Sequence, residues 1–269
     1  MQVRMKNGGN DEYYTNPEIA KRYIQITKEK LKRYNITDII EPSAGDGSFS
    51  NNLYVFEGNI ISYDLYPKAN NIIKADFLSV KIKKDALVIG NPPFGFAGSL
   101  AVKFFNHAAK EAKAIAFIVP RTFQKESIHK KLDRHFHLIH EELCPKNCFL
   151  VNGSVYDVPC VFQIWVKRTA KKGKRASYVN YDTNPYFDFV KKGEADFCIR
   201  RVGGKTGKIL NTTDETESST YFCKEKRPDA RTAILACYND IKKISEMTVG
   251  VKSISINELN KILVDYGKK

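Results

Sequence analysis

Asn91-Pro92-Pro93-Phe94 is the stretch of this sequence whose residue types imply chemistry most directly. Two consecutive prolines make a rigid turn, which fixes the Asn side chain and the neighbouring carbonyls. An amide oxygen (Asn91) and a backbone carbonyl (Pro92) can together accept both hydrogens of a planar amino group. Held in that way, the nitrogen moves toward a more nucleophilic geometry without a strong base. Phe94 offers a face on which a base that has left its helix can stack. A proline-kinked loop end is the plain structural alternative, and the surrounding sequence decides against it.

Upstream, Glu41-Pro42-Ser43-Ala44-Gly45-Asp46-Gly47-Ser48-Phe49 sets Gly-x-Gly between a short apolar run and an expected helix. Glycine has no Cβ, so a ligand can approach the backbone closely there. Asp64 lies 17 residues after Gly47, at the end of the next expected strand. An acid at that place can accept hydrogen bonds from ribose hydroxyls. Asp76-Phe77 ends a third strand, where a carboxylate and a ring could hold an adenine. Together these residues describe a nucleoside site without a phosphate loop, which points to S-adenosylmethionine rather than a dinucleotide.

Such residues must be positioned by regular elements. Pro17 to Tyr34 reads as an amphipathic helix, with Thr15 or Asn16 as its cap and Pro17 in the first turn. Short apolar runs at Ile36–Ile40, Ile60–Tyr63, Ile72–Ala75, Ala86–Gly90, Ala114–Val119 and Val158–Val166 read as strands. Helices are expected around Phe49–Phe56, Ser99–Ala112 and Ser127–Phe136. This alternation predicts an α/β fold, a doubly wound, mostly parallel Rossmann-like sheet. In such a sheet Glu41, Asp64, Asp76 and Asn91 all fall at strand carboxyl ends, where ligands bind.

The rhythm becomes irregular after Lys167, which divides the chain into residues 1–168, carrying the chemistry, and a small basic C-terminal region, 169–269. The net charge is +14, and Lys167 to Leu210 holds 12 Lys or Arg against 4 Asp or Glu, a local net of +8. So local an excess favours a polyanionic partner over a merely solvated surface. Arg200, Arg201, Lys205 and Lys208, on an expected glycine-rich hairpin, are the candidates for nucleic-acid contact. That stretch resembles a phosphate-binding loop superficially, but its spacing is wrong and no apolar strand leads into it. Arg231 to Ile244 is expected to return to helix.

Six scattered cysteines read as reduced thiols. His137, His140, Cys144 and Cys148 have spacings a zinc site could use, but the loop-like Pro-Lys-Asn insert makes the signal weak, and no metal is expected. No run of 18 or more apolar residues occurs, so no membrane span is expected. The polar segment Met1 to Asp11 lacks the apolar stretch of a secretory signal, and a cytoplasmic protein is the expectation.

In combination these motifs resemble the amino-group (adenine N6) DNA methyltransferases, of the order in which cofactor motifs precede the catalytic motif and target recognition comes last. Tyr13-Tyr14-Thr15-Asn16-Pro17-Glu18-Ile19-Ala20 resembles the family's N-terminal cofactor segment, which implies cofactor contacts for Tyr14 and Thr15. The stretch 41–49 resembles the cofactor glycine loop, with Glu41, Pro42, Ala44, Gly45 and Gly47 as contacts. Ser62 to Pro67 resembles the ribose-binding strand end (Asp64, Leu65), and Ala75 to Leu78 the adenine-contacting one (Asp76, Phe77). Asn91 to Phe94 matches the catalytic motif, with Asn91 also beside the cofactor. Val119-Pro120 and Val158 to Lys167 fit later structural motifs, so the likeness covers residues 13 to about 167.

The family places a second aromatic against the flipped base; Phe149 and Tyr156 are both candidates, and Phe149 is favoured. Where the family often carries two prolines this chain has Asn16-Pro17. Gly250 to Ser255 resembles the tails of small phage and bacterial adenine methyltransferases. The resemblance implies S-adenosylmethionine as cofactor, adenine N6 as acceptor and nucleic acid as partner, DNA ahead of RNA, as in restriction-modification. An RNA adenine methyltransferase, a protein-glutamine methyltransferase and a non-catalytic nucleic-acid-binding subunit are the alternatives.

Overall fold

A computed structural model describes residues 13–151, 153–168, 175, 178–210 and 214–268. The chain divides into two compact units between residues 177 and 178. In the first unit β1 (Tyr14–Thr15) leads into α1 (Pro17–Leu31). The Asn16 side chain accepts from the Glu18 N–H at 3.1 Å and so caps α1. Then come β2 (Asp38–Glu41), a 3₁₀ turn (Ser50–Val55), β3 (Asn59–Asp64), β4 (Ile73–Lys74) and β5 (Leu87–Gly90). They are followed by α2 (Ser99–Ala109), β6 (Ala114–Pro120), α3 (Glu126–His129) and β7 (Phe136–Leu143). The hairpin β8 (Phe149–Val151) and β9 (Ser154–Tyr156) precedes β10 (Cys160–Lys167).

Seven strands form one sheet in the order β4-β3-β2-β5-β6-β10-β7. β2, β3, β4, β5 and β6 run parallel, whereas β10 is antiparallel to both its neighbours. Every residue of β2, β5 and β6 is buried, as strands covered on both faces must be, which is why they read as continuous apolar runs. One face packs Trp165 edge-on to Phe105, with ring centroids 5.5 Å apart. The other stacks Tyr23 of α1 on Phe162 at 4.1 Å. The chain works outward through β2, β3 and β4, then returns to the centre at β5. That reversal opens a crevice beyond the carboxyl ends of β2 and β5, where doubly wound sheets hold ligands. The fold is therefore the expected α/β, Rossmann-like, mostly parallel sheet.

Several expected elements are corrected. The helix expected over Ser127–Phe136 is only Glu126–His129, and Phe136 opens a strand instead. Lys130 caps it, and further on the Asp133 side chain accepts from the His135 N–H at 2.7 Å in a local turn just before the strand. The helix expected around Phe49–Phe56 is a 3₁₀ turn. β10 is antiparallel, and the hairpin β8–β9 pairs with β1 rather than with the main sheet.

In the second unit β11 (Phe187–Phe189), β12 (Phe197–Arg200), β13 (Ile209–Leu210) and β14 (Thr220–Glu225) form an antiparallel sheet ordered β11-β14-β12-β13. The single helix expected over Arg231–Ile244 is two, α4 (Ala230–Ala236) and α5 (Tyr238–Ser245), because backbone at Cys237 leaves helical geometry (φ −88°, ψ 0°). With α6 (Ile256–Tyr266) they bury Ile234, Ile241, Leu259 and Leu263 against Phe187, Phe197 and Ile199 of the sheet. No helix among the described residues is long and apolar enough to cross a membrane.

Candidate active site

The crevice beyond β2 and β5 is a cleft lined by residues from the ends of four strands, β2, β3, β4 and β5, and by β1. Glu41 closes β2 and is buried, 1% exposed. Gly90, on the neighbouring strand at φ 151°, makes room for it, since a Cβ there would stand 3.3 Å from Glu41 Cγ. The Ser50 hydroxyl donates to Glu41 and also lies 2.8 Å from Ser62 Oγ. Burial pushes the Glu41 carboxyl up to about 8, because a charge there would lose its water.

Beyond Glu41 the chain turns through Pro42, Ser43, Ala44 and Gly45, all on the cleft wall. Gly45 has φ 54°, and a Cβ there would press within 3.0 Å of the Tyr14 ring. Asp64 at the end of β3 braces this turn. One carboxylate oxygen accepts from the Gly45 N–H at 2.8 Å, and the other from the Tyr66 N–H at 2.7 Å. Leu65 and Tyr66, 46% and 66% exposed, offer an apolar rim beside it. Asp76 lines the cleft while one of its oxygens accepts from the Leu78 N–H at 2.9 Å. Phe77 also borders the cleft but is 1% exposed, its ring packed on Phe104 at 5.2 Å, so it is a wall rather than an open platform.

Asn91, Pro92, Pro93 and Phe94 form the wall beyond β5. The Ser43 hydroxyl donates to the Asn91 carbonyl at 2.9 Å. Asn91 Nδ2 donates to the Tyr13 carbonyl at 3.0 Å, and Asn91 Oδ1 is buried with no hydrogen-bond partner among the described residues. Leaving such an acceptor bare costs roughly 1–3 kcal/mol. Phe94 is 7% exposed, its ring 6.4 Å from that of Tyr13 and inclined to it by 29°, and Tyr13 is in turn stacked on Tyr156 at 5.4 Å. Tyr14 and Thr15 reach the same cleft from β1, the Tyr14 ring lying under the Lys68 ammonium at 4.5 Å.

Two expected site residues are placed elsewhere. Gly47 lies off the cleft lining; at φ 92° it serves the turn, with Asn51 where its Cβ would be. Phe149 is fully buried and does not line the cleft. Its ring lies 6.2 Å from that of Phe94 and 6.0 Å from that of Tyr13, while its cross-strand partner Tyr156, half-buried and stacked on Tyr13 at 5.4 Å, does not line the cleft either. Tyr13, Ser43 and Tyr66 were not among the expected site residues. All three adjoin residues that were, and Tyr13 meets Asn91 through its carbonyl, just before the pairing of β1 with β8 begins.

His137 and His140 lie on β7, and among the described residues no three potential metal ligands come together. A hydrogen bond from Cys144 and burial push the Cys148 thiol up. On the second unit's hairpin Arg200 is tied to Glu215 at 2.8 Å and to Ser219 at 2.7 Å. Arg201 stacks on Tyr221 at 5.2 Å, while Lys205 and Lys208 are exposed. Intramolecular partners therefore hold Arg200 and Arg201, and the two lysines face solvent.

No protein-family model matches the chain, and no curated protein matches it. Solved structures with a similar chain path include a candidate RNA methyltransferase from Pyrococcus horikoshii, 16% identical, with a TM-score of 0.48 over 61% of this chain and 91% of that one. A candidate class I S-adenosylmethionine-dependent methyltransferase from Listeria monocytogenes is 14% identical, with a TM-score of 0.48 over 65% and 67%. The 23S rRNA methyltransferase ErmE is 14% identical, with a TM-score of 0.43 over 59% and 70%. Likeness at this level speaks for no substrate.

Proposed function

We propose that this chain is an S-adenosylmethionine-dependent methyltransferase that methylates the exocyclic N6 amino group of adenine in DNA. The observation that carries the proposal is the Asn91 amide. It is locked through Nδ2, its Oδ1 is buried and bare, and the residue lines a cleft that Phe94 borders. A bare acceptor beside an aromatic ring suits a flat base bearing an N–H donor.

The rest of the cleft fits the cofactor. Asp64 and Asp76 present carboxylates for hydroxyl and amino donors, and Leu65 and Tyr66 give apolar cover for a flat ring. Glu41, held neutral by burial, would gain a counter-charge from a bound cation. S-adenosylmethionine supplies, when bound, a methyl group on a positively charged sulfur. The protein's part is alignment and exclusion of water. Asn91 Oδ1 and the Pro92 carbonyl accept the two amino hydrogens and relieve the positive charge growing on nitrogen. Phe94 and Tyr156 are the rings assigned to the base, and Lys205 and Lys208 the exposed charges assigned to the phosphate backbone. The net charge of +14 favours nucleic acid over a protein amide as acceptor.

The test offers purified protein and tritiated S-adenosylmethionine to unmethylated plasmid DNA, bulk RNA and cell-protein extract side by side. Label in DNA is the expected result. Label confined to RNA would move the substrate, and label confined to protein would overturn the argument from charge.

A further inference from the structure

Phe96 is 90% exposed, more than any other large hydrophobic side chain described. It follows Phe94 by two residues, so its Cα stands within about 7 Å of the cleft wall. The loop that carries it is built rather than slack. Gly95, Ala97 and Gly98 have φ of 66°, 51° and 79°, and Ala97 is one of two described non-glycine residues on the positive side. An alanine held there is strained, because its Cβ crowds the following carbonyl. The Leu100 and Ala101 N–H groups donate to the Phe94 carbonyl at 3.0 and 3.3 Å, tying the start of α2 back to the catalytic turn. A Cβ on Gly95 would stand 2.8 Å from Leu100 Cβ, so the return is tight.

A phenylalanine left in water forgoes the stabilisation that burying its ring would bring. Exposure and backbone strain thus coincide at the edge of the cleft, on a ring that does not line the cleft itself. We propose that Phe96 enters the base stack of duplex DNA, filling the place of the target base when that base turns into the cleft. This inference rests on the proposed function. The chemistry fits: an extruded base leaves a flat, apolar slot one ring thick, and a side chain that fills it offsets the unstacking. A chain of net charge +14 attracts a polyanionic duplex.

Because Phe96 is exposed, its replacement leaves the fold alone and can be tested directly. Methyl transfer is measured for wild type, Phe96→Ala and Phe96→Trp on unmethylated linear plasmid DNA and on the same DNA heat-denatured to single strands. Cofactor affinity is followed by calorimetry. Only the duplex has a gap to fill. Phe96→Ala should lower kcat/KM on duplex about tenfold or more, from the lost stacking. Its activity on single strands and its cofactor affinity should stay near wild type, and Phe96→Trp should restore the duplex rate. Equal losses on both substrates, no loss on duplex, or a wild type active on single strands alone would overturn the inference while leaving the proposed function standing. A wild type that methylates neither DNA form would overturn both.

Discussion

The Asn91 side-chain nitrogen donates to the carbonyl of Tyr13 at 3.0 Å, and this one bond decides which way the Asn91 amide faces. Its oxygen is left buried and bare at the cleft wall. The main chain of the first described segment thus orients the group on which the proposed reaction depends. Asn91→Ala removes the acceptor but not the cofactor wall, and should lower kcat about 100-fold or more, as loss of a transition-state hydrogen bond does. Cofactor affinity by calorimetry should stay within about threefold of wild type. An Asn91→Ala protein with full activity would remove Asn91 from the mechanism.

Phe149 and Tyr156 separate by what each supports. Phe149 is fully buried, so Phe149→Ala should destabilise the fold by about 3–5 kcal/mol in denaturant titrations. Tyr156 is half-buried and stacks on Tyr13, so Tyr156→Ala should cost little stability and should raise KM for DNA about tenfold. The reverse pattern would return the stacking role to Phe149.

Asp64 has two tasks, bracing the glycine turn through the Gly45 N–H and presenting a carboxylate to the cleft. Asp64→Ala loses both and should raise the S-adenosylmethionine dissociation constant at least about tenfold, the size of a charge-assisted hydrogen bond. Asp64→Asn keeps an acceptor for the turn and should fall between. An unchanged constant in Asp64→Ala would refute the contact.

Glu41 predicts a pH dependence. Its carboxyl is pushed from the ordinary 4.5 up to about 8 in the folded chain. A folded value above the unfolded one means that its contribution is most favourable below about 4.5 and is lost as pH rises through about 8. Glu41→Gln should therefore gain stability relative to wild type between pH 5 and pH 9, on the order of a few kcal/mol. A bound cation would pull the carboxyl back down, so cofactor binding to wild type at neutral pH should release a proton. Calorimetry in buffers of different ionisation enthalpy reads this directly. Identical melting-temperature profiles for wild type and Glu41→Gln across that range would contradict the assignment.

Much of the main sheet was legible because buried parallel strands are short apolar runs, and here each of several runs stops at a polar residue. Glu41, Asp64, Asp76 and Asn91 stand out in sequence for that reason, and the reversal between β2 and β5 brings them to one cleft. The direction of β10 was not legible, since a strand buried on both faces has the same composition run either way. Nor could spacing separate Phe149 from Tyr156. They are directly paired across the β8–β9 hairpin and project to the same side, so only depth distinguishes them. Tyr13 escaped notice because its role depends on a carbonyl, which no side-chain pattern reports.

The central claim is that the Asn91 cleft accepts an adenine amino group, and the identity of the methylated nucleoside tests it most directly. DNA exposed to the protein and S-adenosylmethionine would be digested and its nucleosides separated by mass spectrometry. The account predicts N6-methyldeoxyadenosine as the product, absent when Asn91→Ala replaces wild type. Methyl found on a ring carbon, such as C5 of cytosine, would contradict it, because an acceptor aimed at an amino group gives no help there.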